Sequence, residues 1–305
     1  MADPRPSLVI PILLVVLVII GSGVGIGLLY EHNNPKSPTP IRTVQLGDNV
    51  TVDYTGSYAT GPQTGRVFDT SLYSVETNNL TFPKSLQFHA CGAPAQCVPI
   101  GFHVGPSAPS GGYVVSGESF LPPVTGFWQG LIGLPVGKAG TISIPPALGY
   151  GSDNAACFVT LPLSYTVAVL RPVAEAAFAT EYPGVTATPG TEFTDPTFSW
   201  NDLVLSTNAT SVVIENLPPV GWSVPSNSWP LMVTNVSATA ITLRNELAPS
   251  QAGLVQGKAS GSGLCSSQNF IVSAVNTTAN TFTENYNREV QGQTLVFVVS
   301  VVRFY

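Results

Sequence analysis

The run "FWQGLIGLPVGKAGTISIPPALGYG", Phe127 to Gly151, decides how this chain is read. Lys138 is its only charged side chain, and glycine and proline divide it into short pieces. A short helix is expected around Thr125 to Leu134, since no other helix is plausible nearby. "AGTISI", Ala139 to Ile144, then alternates apolar and polar side chains as a half-buried strand does. The segment ends in a loop carrying Tyr150 between two glycines.

Similar alternation extends on both sides of this run. "NVTVDYTGSY" (Asn49 to Tyr58) and "LSYTVAVLRPV" (Leu163 to Val173) are short runs bounded by Gly or Pro and read as further strands. The remainder, Ala174 to Tyr305, is rich in Thr, Val, Ser and Asn and lacks a helical period, so strands and turns are expected throughout. In it "LMVTNVSATAITLRNE" (Leu231 to Glu246) and "FIVSAVNTTANTFTEN" (Phe270 to Asn285) look like two copies of one hairpin, with "LVLSTNATSVVIEN" (Leu203 to Asn216) as a third.

Composition limits the function classes. Charged residues make up 9% of the 305 and the formal net charge is -6, so the clustered Lys and Arg that bind a nucleic-acid backbone are lacking. "LVIPILLVVLVIIGSGVGIGLLY", Leu8 to Tyr30, carries no charge. At 1.5 Å per residue it would cross a bilayer core of about 30 Å, and it exceeds the usual apolar stretch of a cleaved signal peptide. The polar, Pro-rich "EHNNPKSPTPIRT" after it reads as a stalk. Five Asn-x-Ser/Thr triplets, at Asn49, Asn79, Asn208, Asn235 and Asn276, and four cysteines, Cys91, Cys97, Cys157 and Cys265, suit an exported body with glycans and disulfides. A cell-membrane protein, single-pass, with its body outside the cytoplasm is therefore expected.

Four separated motifs carry a family resemblance. "GDNVTVDYTG" (Gly47 to Gly56), "GRVFDTS" (Gly65 to Ser71), "VTGFWQGLIGLPVGKAGTISIPPALGYG" (Val124 to Gly151) and "LSYTVAVL" (Leu163 to Leu170) follow one another as in FKBP-type peptidyl-prolyl cis-trans isomerases, which the chain resembles over less than half its length. The resemblance implies an α+β fold, an antiparallel sheet wrapped on one short helix. With the rest of the chain, the expected organisation is a transmembrane helix within 1–30, a linker over 31–43, the isomerase domain over 44–173 and a mostly-β domain over 174–305.

The resemblance also implies a site. The X-Pro amide resists rotation by about 18–20 kcal/mol because resonance keeps it planar. Twisting makes the amide less polar, so a water-free aromatic pocket favours the transition state. No nucleophile, metal or cofactor is called for. Phe127 would form the pocket floor, where the family usually has Trp. Tyr54, Phe68 and Tyr165 would form the walls, Tyr150 would point its hydroxyl at a substrate carbonyl, and Asp69 would sit at the rim. Val124 would offer its backbone N–H to the bound peptide, and Phe158 and Val159 match the family's apolar pair after the "GYG" turn. The implied partners are unfolded or proline-containing client proteins.

Two departures stand out. An insertion lies within about 72–122, holding "HACGAPAQCVPIGFHVG", His89 to Gly105, whose last four residues could form a strand flanking the pocket. Its His89, Cys91, Cys97 and His103 could hold a tetrahedral zinc, whereas an exported chain more often closes Cys91 to Cys97 as a disulfide. Cys157 and Cys265 would then link the two domains. Finally, "NYNREVQGQTLVFVVSVVRF", Asn285 to Phe304, loosely resembles the end of the insert-in-flap chaperone module of SlyD-like isomerases. That module interrupts the loop after the "GYG" turn, whereas here the β-rich half is expected to follow the isomerase domain. Besides an active isomerase, an inactive FKBP-like binding, chaperone or surface protein stays open.

Overall fold

The computed structural model describes residues 41–106, 113–115, 118–120, 123–224, 229–259, 265 and 267–305. The expected membrane span, Leu8 to Tyr30, and most of the stalk lie outside them.

The first alternating run becomes β1 (Asn49–Tyr58), with Val50, Val52, Tyr54, Gly56 and Tyr58 facing inward. There follow β2 (Val67–Thr70), α1 (Tyr73–Glu76), β3 (Lys84–His89) and β4 (Ile100–His103), then a small hairpin of β5 (Tyr113–Val115) and β6 (Glu118–Phe120). The decisive segment folds as α2 (Thr125–Leu131) and β7 (Ala139–Ile144). Glycine lets the two approach: a Cβ built on Gly126 would lie 2.6 Å from Ile144 Cγ2.

Beyond the "GYG" turn the chain forms three consecutive strands, β8 (Phe158–Pro162), β9 (Ser164–Ala168) and β10 (Leu170–Ala174), then α3 (Glu175–Glu181). Nine strands come next: β11 (Glu192–Thr194), β12 (Asn201–Thr207), β13 (Ser211–Asn216), β14 (Ser223–Val224), β15 (Leu231–Val236), β16 (Ala240–Asn245), β17 (Gln256–Lys258), β18 (Asn269–Asn276) and β19 (Thr281–Asn285). They build three four-stranded sheets on one plan, ordered β10-β13-β12-β11, β14-β15-β16-β9 and β17-β18-β19-β8. Each centres on a hairpin whose first strand shifts register at the equivalent point, Val204/Ser206, Val233/Asn235 and Val272/Ala274.

The run Cys157 to Ala174 is the spine that joins these sheets. Its carbonyls at Cys157, Leu163 and Val169, six residues apart, accept the N–H groups of Tyr286, Asn245 and Asn216 in turn. Tryptophan ties neighbours together, since Trp200, just before β12, packs in the core of the second of these three insert sheets and Trp229, just before β15, in that of the third. Asn208, Asn235 and Asn276 are exposed at or near the three hairpin turns.

The strand that completes the first sheet comes from the far end of the chain. β20 (Leu295–Phe304) lies antiparallel between β1 and β7, giving the order β3-β2-β1-β20-β7, with β4 also pairing β1. Its inward side chains Leu295, Phe297, Val299 and Val301 share one core with Val50, Val52, Tyr54, Phe127, Leu131 and Ile144.

Several expectations are thereby corrected. The division at 173/174 fails, because Ile41–Tyr305 is one unit and residues 152–294 are an insert between the "GYG" turn and the closing strand. "LSYTVAVL" is spine, and "LVFVVSVV" is the sheet strand. Both alternate alike, and alternation shows that one face is buried without naming the neighbour that covers it. The α+β class is overturned as well: strands hold 44% of the residues and helix 11%, spread over several sheets. Helix is confined to short pieces because Thr, Val, Ser and Asn are abundant in the insert, and these residues favour strands and turns. Among the described residues no helix is long and apolar enough to cross a membrane.

Candidate active site

An aromatic cluster lies at the centre of the first sheet. Tyr54 from β1, Phe68 from β2, Phe127 from α2 and Phe297 from β20 are all buried. Phe127 meets Phe297 edge-on at 5.0 Å between centroids and Tyr54 edge-on at 6.2 Å. Phe68 meets Phe297 edge-on at 5.5 Å, and Phe102 of β4 stands 4.9 Å from Phe127. Such edge-to-face contacts match the positive rim of one ring to the negative face of another. Gly56 makes the room: a Cβ there would lie 2.6 Å from Phe68 Cζ and 2.8 Å from Phe297 Cε1.

Polar groups sit at the edge of this cluster. The Tyr54 hydroxyl donates to Asp69 Oδ2 at 3.0 Å. Backbone pairing fixes the geometry, for Gly56 faces Asp69 across β1 and β2, and Ser71 Oγ accepts from Tyr54 N at 2.9 Å. Burial, reinforced by the Asp69 carboxylate, pushes the Tyr54 phenol far up from its ordinary value. It therefore stays protonated, a standing donor to Asp69. His89, opposite Asp69 in the parallel pairing of β2 and β3, brings Nδ1 to 3.5 Å from Asp69 Oδ1.

Tyr150 and Val124 are partly buried against the same cluster. Burial raises the Tyr150 phenol, Arg288 acts to lower it and Asp69 to raise it, while the Arg288 guanidinium lies 5.1 Å from the Tyr150 ring centroid. Val124 is the N-cap of α2 and accepts from Phe127 N at 2.9 Å. Its own N–H donates to no group among the described residues.

The structure thus brings together Tyr54, Phe68, Asp69, Phe127, Tyr150 and Val124, but not the other three expected residues. Tyr165 lies on β9, opposite Leu243 in the second insert sheet, and packs against the core that contains Trp200 and Ile241. Phe158 and Val159 begin the spine, opposite Asn285 and Glu284. Val159 packs in the third insert core, and Phe158 lines a separate cleft with Tyr58 and Glu289. All three are corrected for one reason: the chain leaves the first sheet after Gly151 and returns only at β20. Phe297 joins the cluster where Tyr165 was expected. Its signal was the long alternating "LVFVVSVV" after the "NREVQGQT" turn.

A relative among curated proteins matches part of this chain in sequence. The chain is 32% identical over 122 residues, 40% of its own length, to the short-type peptidyl-prolyl cis-trans isomerase of Methanocaldococcus jannaschii. It spans about 60% of that relative's length. No protein-family model matches. The likeness supports, in general terms, an FKBP-type prolyl isomerase.

The cysteines form two disulfides, Cys91–Cys97 and Cys157–Cys265. The first joins both sulfurs of the alternative zinc set to each other, and His103 Nδ1 lies 2.8 Å from Asn49 Oδ1. The second lies inside the insert, with Cys157 buried in the third core, and so does not link two domains. Glu289, where the insert returns, accepts from Gln63 Nε2, Leu86 N, Ser85 Oγ and Gln87 N at 2.6 to 3.1 Å. One carboxylate therefore clamps β3 to the end of the insert.

Proposed function

We propose that this chain is a peptidyl-prolyl cis-trans isomerase acting on polypeptides outside the cytoplasm. The observation that carries the reading is the Tyr54–Asp69 hydrogen bond at the rim of a buried cage of Phe68, Phe127 and Phe297. A proline ring entering beside Phe127 leaves water, and the twisted, less polar amide is favoured over the planar one. The Val124 N–H and the Tyr150 hydroxyl are the donors that would hold the carbonyls on either side. Two disulfides suit an oxidising compartment. An isomerisation assay on a proline peptide tests the reading: acceleration by the full chain, lost in Phe127→Ala and Asp69→Ala, is expected. No acceleration, or variants equal to the parent, would remove the enzyme reading.

A second reading is that the insert grips client chains. It is favoured by the insert's place between Gly151 and β20, the loop in which SlyD-like isomerases carry a chaperone module. Refolding of an aggregation-prone protein should improve more with the full chain than with a variant whose residues 158–285 are replaced by a short turn. Equal yields would count against it.

A further inference from the structure

Arg288 lies in the turn that returns the chain from β19 to β20, exposed, with its guanidinium over the Tyr150 ring. Glu289 beside it is committed to Gln63 and β3 through four hydrogen bonds. Among the described residues no carboxylate forms an ion pair with Arg288. Asp69, the acid at the pocket rim, is engaged by Tyr54 and His89. A groove of about 440 Å³ opens at Arg288, walled by Gln87 of β3 and by Asn154, Tyr286, Asn287 and Gln291. Among the described residues Arg288 is the one charged residue lining it.

We propose that Arg288 is a specificity-determining residue, which selects client chains carrying Asp or Glu next to the isomerised proline. The inference rests on the isomerase reading. If the Tyr150 hydroxyl holds a carbonyl of the bound peptide, a cation over the same ring lies within the reach of one residue, since consecutive Cα atoms are about 3.8 Å apart. A planar guanidinium with free donors suits a carboxylate, which it can bind through two parallel hydrogen bonds. The uncharged amides around it offer an anion no repulsion, whereas a Lys or Arg in the same place would meet like charge.

The test uses the full chain and short peptides with Glu, Ala or Lys immediately before or after one proline. Affinity is read by titration, and exchange between isomers by NMR. The Glu peptide should exceed the Ala peptide by roughly two- to fivefold on one flank, as for a partly exposed ion pair, with Lys lowest. The gap should shrink at high salt. Arg288→Met should erase the Glu-to-Ala ratio and Arg288→Lys should keep part of it, neither of which follows if Arg288 merely props Tyr150. A ratio near one in the parent, or one unchanged in Arg288→Met, overturns the proposal. If the parent accelerates no peptide, the isomerase reading falls, and the affinity ratio still decides whether Arg288 selects acidic chains.

Discussion

Phe127 and Phe297 meet edge-on, centroids 5.0 Å apart and planes at 85°, although the whole insert separates them along the chain. Two rings of one aromatic core are thus supplied from opposite sides of a long excursion.

This contact yields the first prediction. Phe297→Ala removes a buried ring from the first core and should cost about 3–5 kcal/mol of stability; Phe297→Leu, less disruptive, should keep the fold but slow isomerisation at least tenfold. Tyr165→Ala should weaken the insert yet leave proline-peptide turnover within twofold of the parent. Denaturant unfolding and isomerisation assays on the three variants check this.

The hydroxyl of Tyr54 gives the second. Tyr54→Phe deletes the bond to Asp69 but keeps the ring, so stability should fall by only about 1 kcal/mol. Turnover should fall more, because Asp69 loses the donor that orients it. Equal turnover in Tyr54→Phe and parent would show that orienting Asp69 does not matter to the reaction.

The insert contains a pH-sensitive group. Asp202 is fully buried, and burial, aided by Asp195, pushes its carboxyl up to about 7. An unfolded Asp titrates near about 3.9, so the folded state holds the proton more tightly. The resulting stabilisation is fully present below about pH 4 and is lost as pH rises through about 7. Thermal melts should therefore show Asp202→Asn gaining on the parent from pH 5 to pH 8. A constant difference between the two would exclude this role.

The disulfides differ in the loops they close. Cys157 and Cys265 are 108 residues apart and Cys91 and Cys97 six, so loop-closure entropy assigns them about 5 and about 2 kcal/mol. Replacing the first pair by serine should lower the unfolding midpoint far more than replacing the second.

Much of the first sheet was legible in the sequence because its motifs are local. Tyr54, Phe68, Asp69, Phe127 and Tyr150 each lie within a short run whose alternation and glycines specify strand, helix or turn. The closing strand was not, because "LSYTVAVL" and "LVFVVSVV" carry the same alternation, and the former lies nearer the "GYG" turn. Choosing between them depends on partners: Tyr165 meets Leu243 of a hairpin, whereas Phe297 meets Gly56, which leaves room for its ring. The three hairpins were readable as copies, but their shared spine was not, since a six-residue step of strands resembles one continuous strand.

The position of β20 also governs the order in which this protein can assemble. Val50 pairs with Phe304, so β1 must wait for the insert to be synthesised before its inner neighbour exists. The hairpins, being local, can form early, while the first sheet depends on closure of a very long loop, which is slow. Until then Tyr54 and Phe127 face no closing strand. The nascent chain therefore carries an open apolar seam, and a factor that shields it would act between synthesis of β7 and arrival of β20.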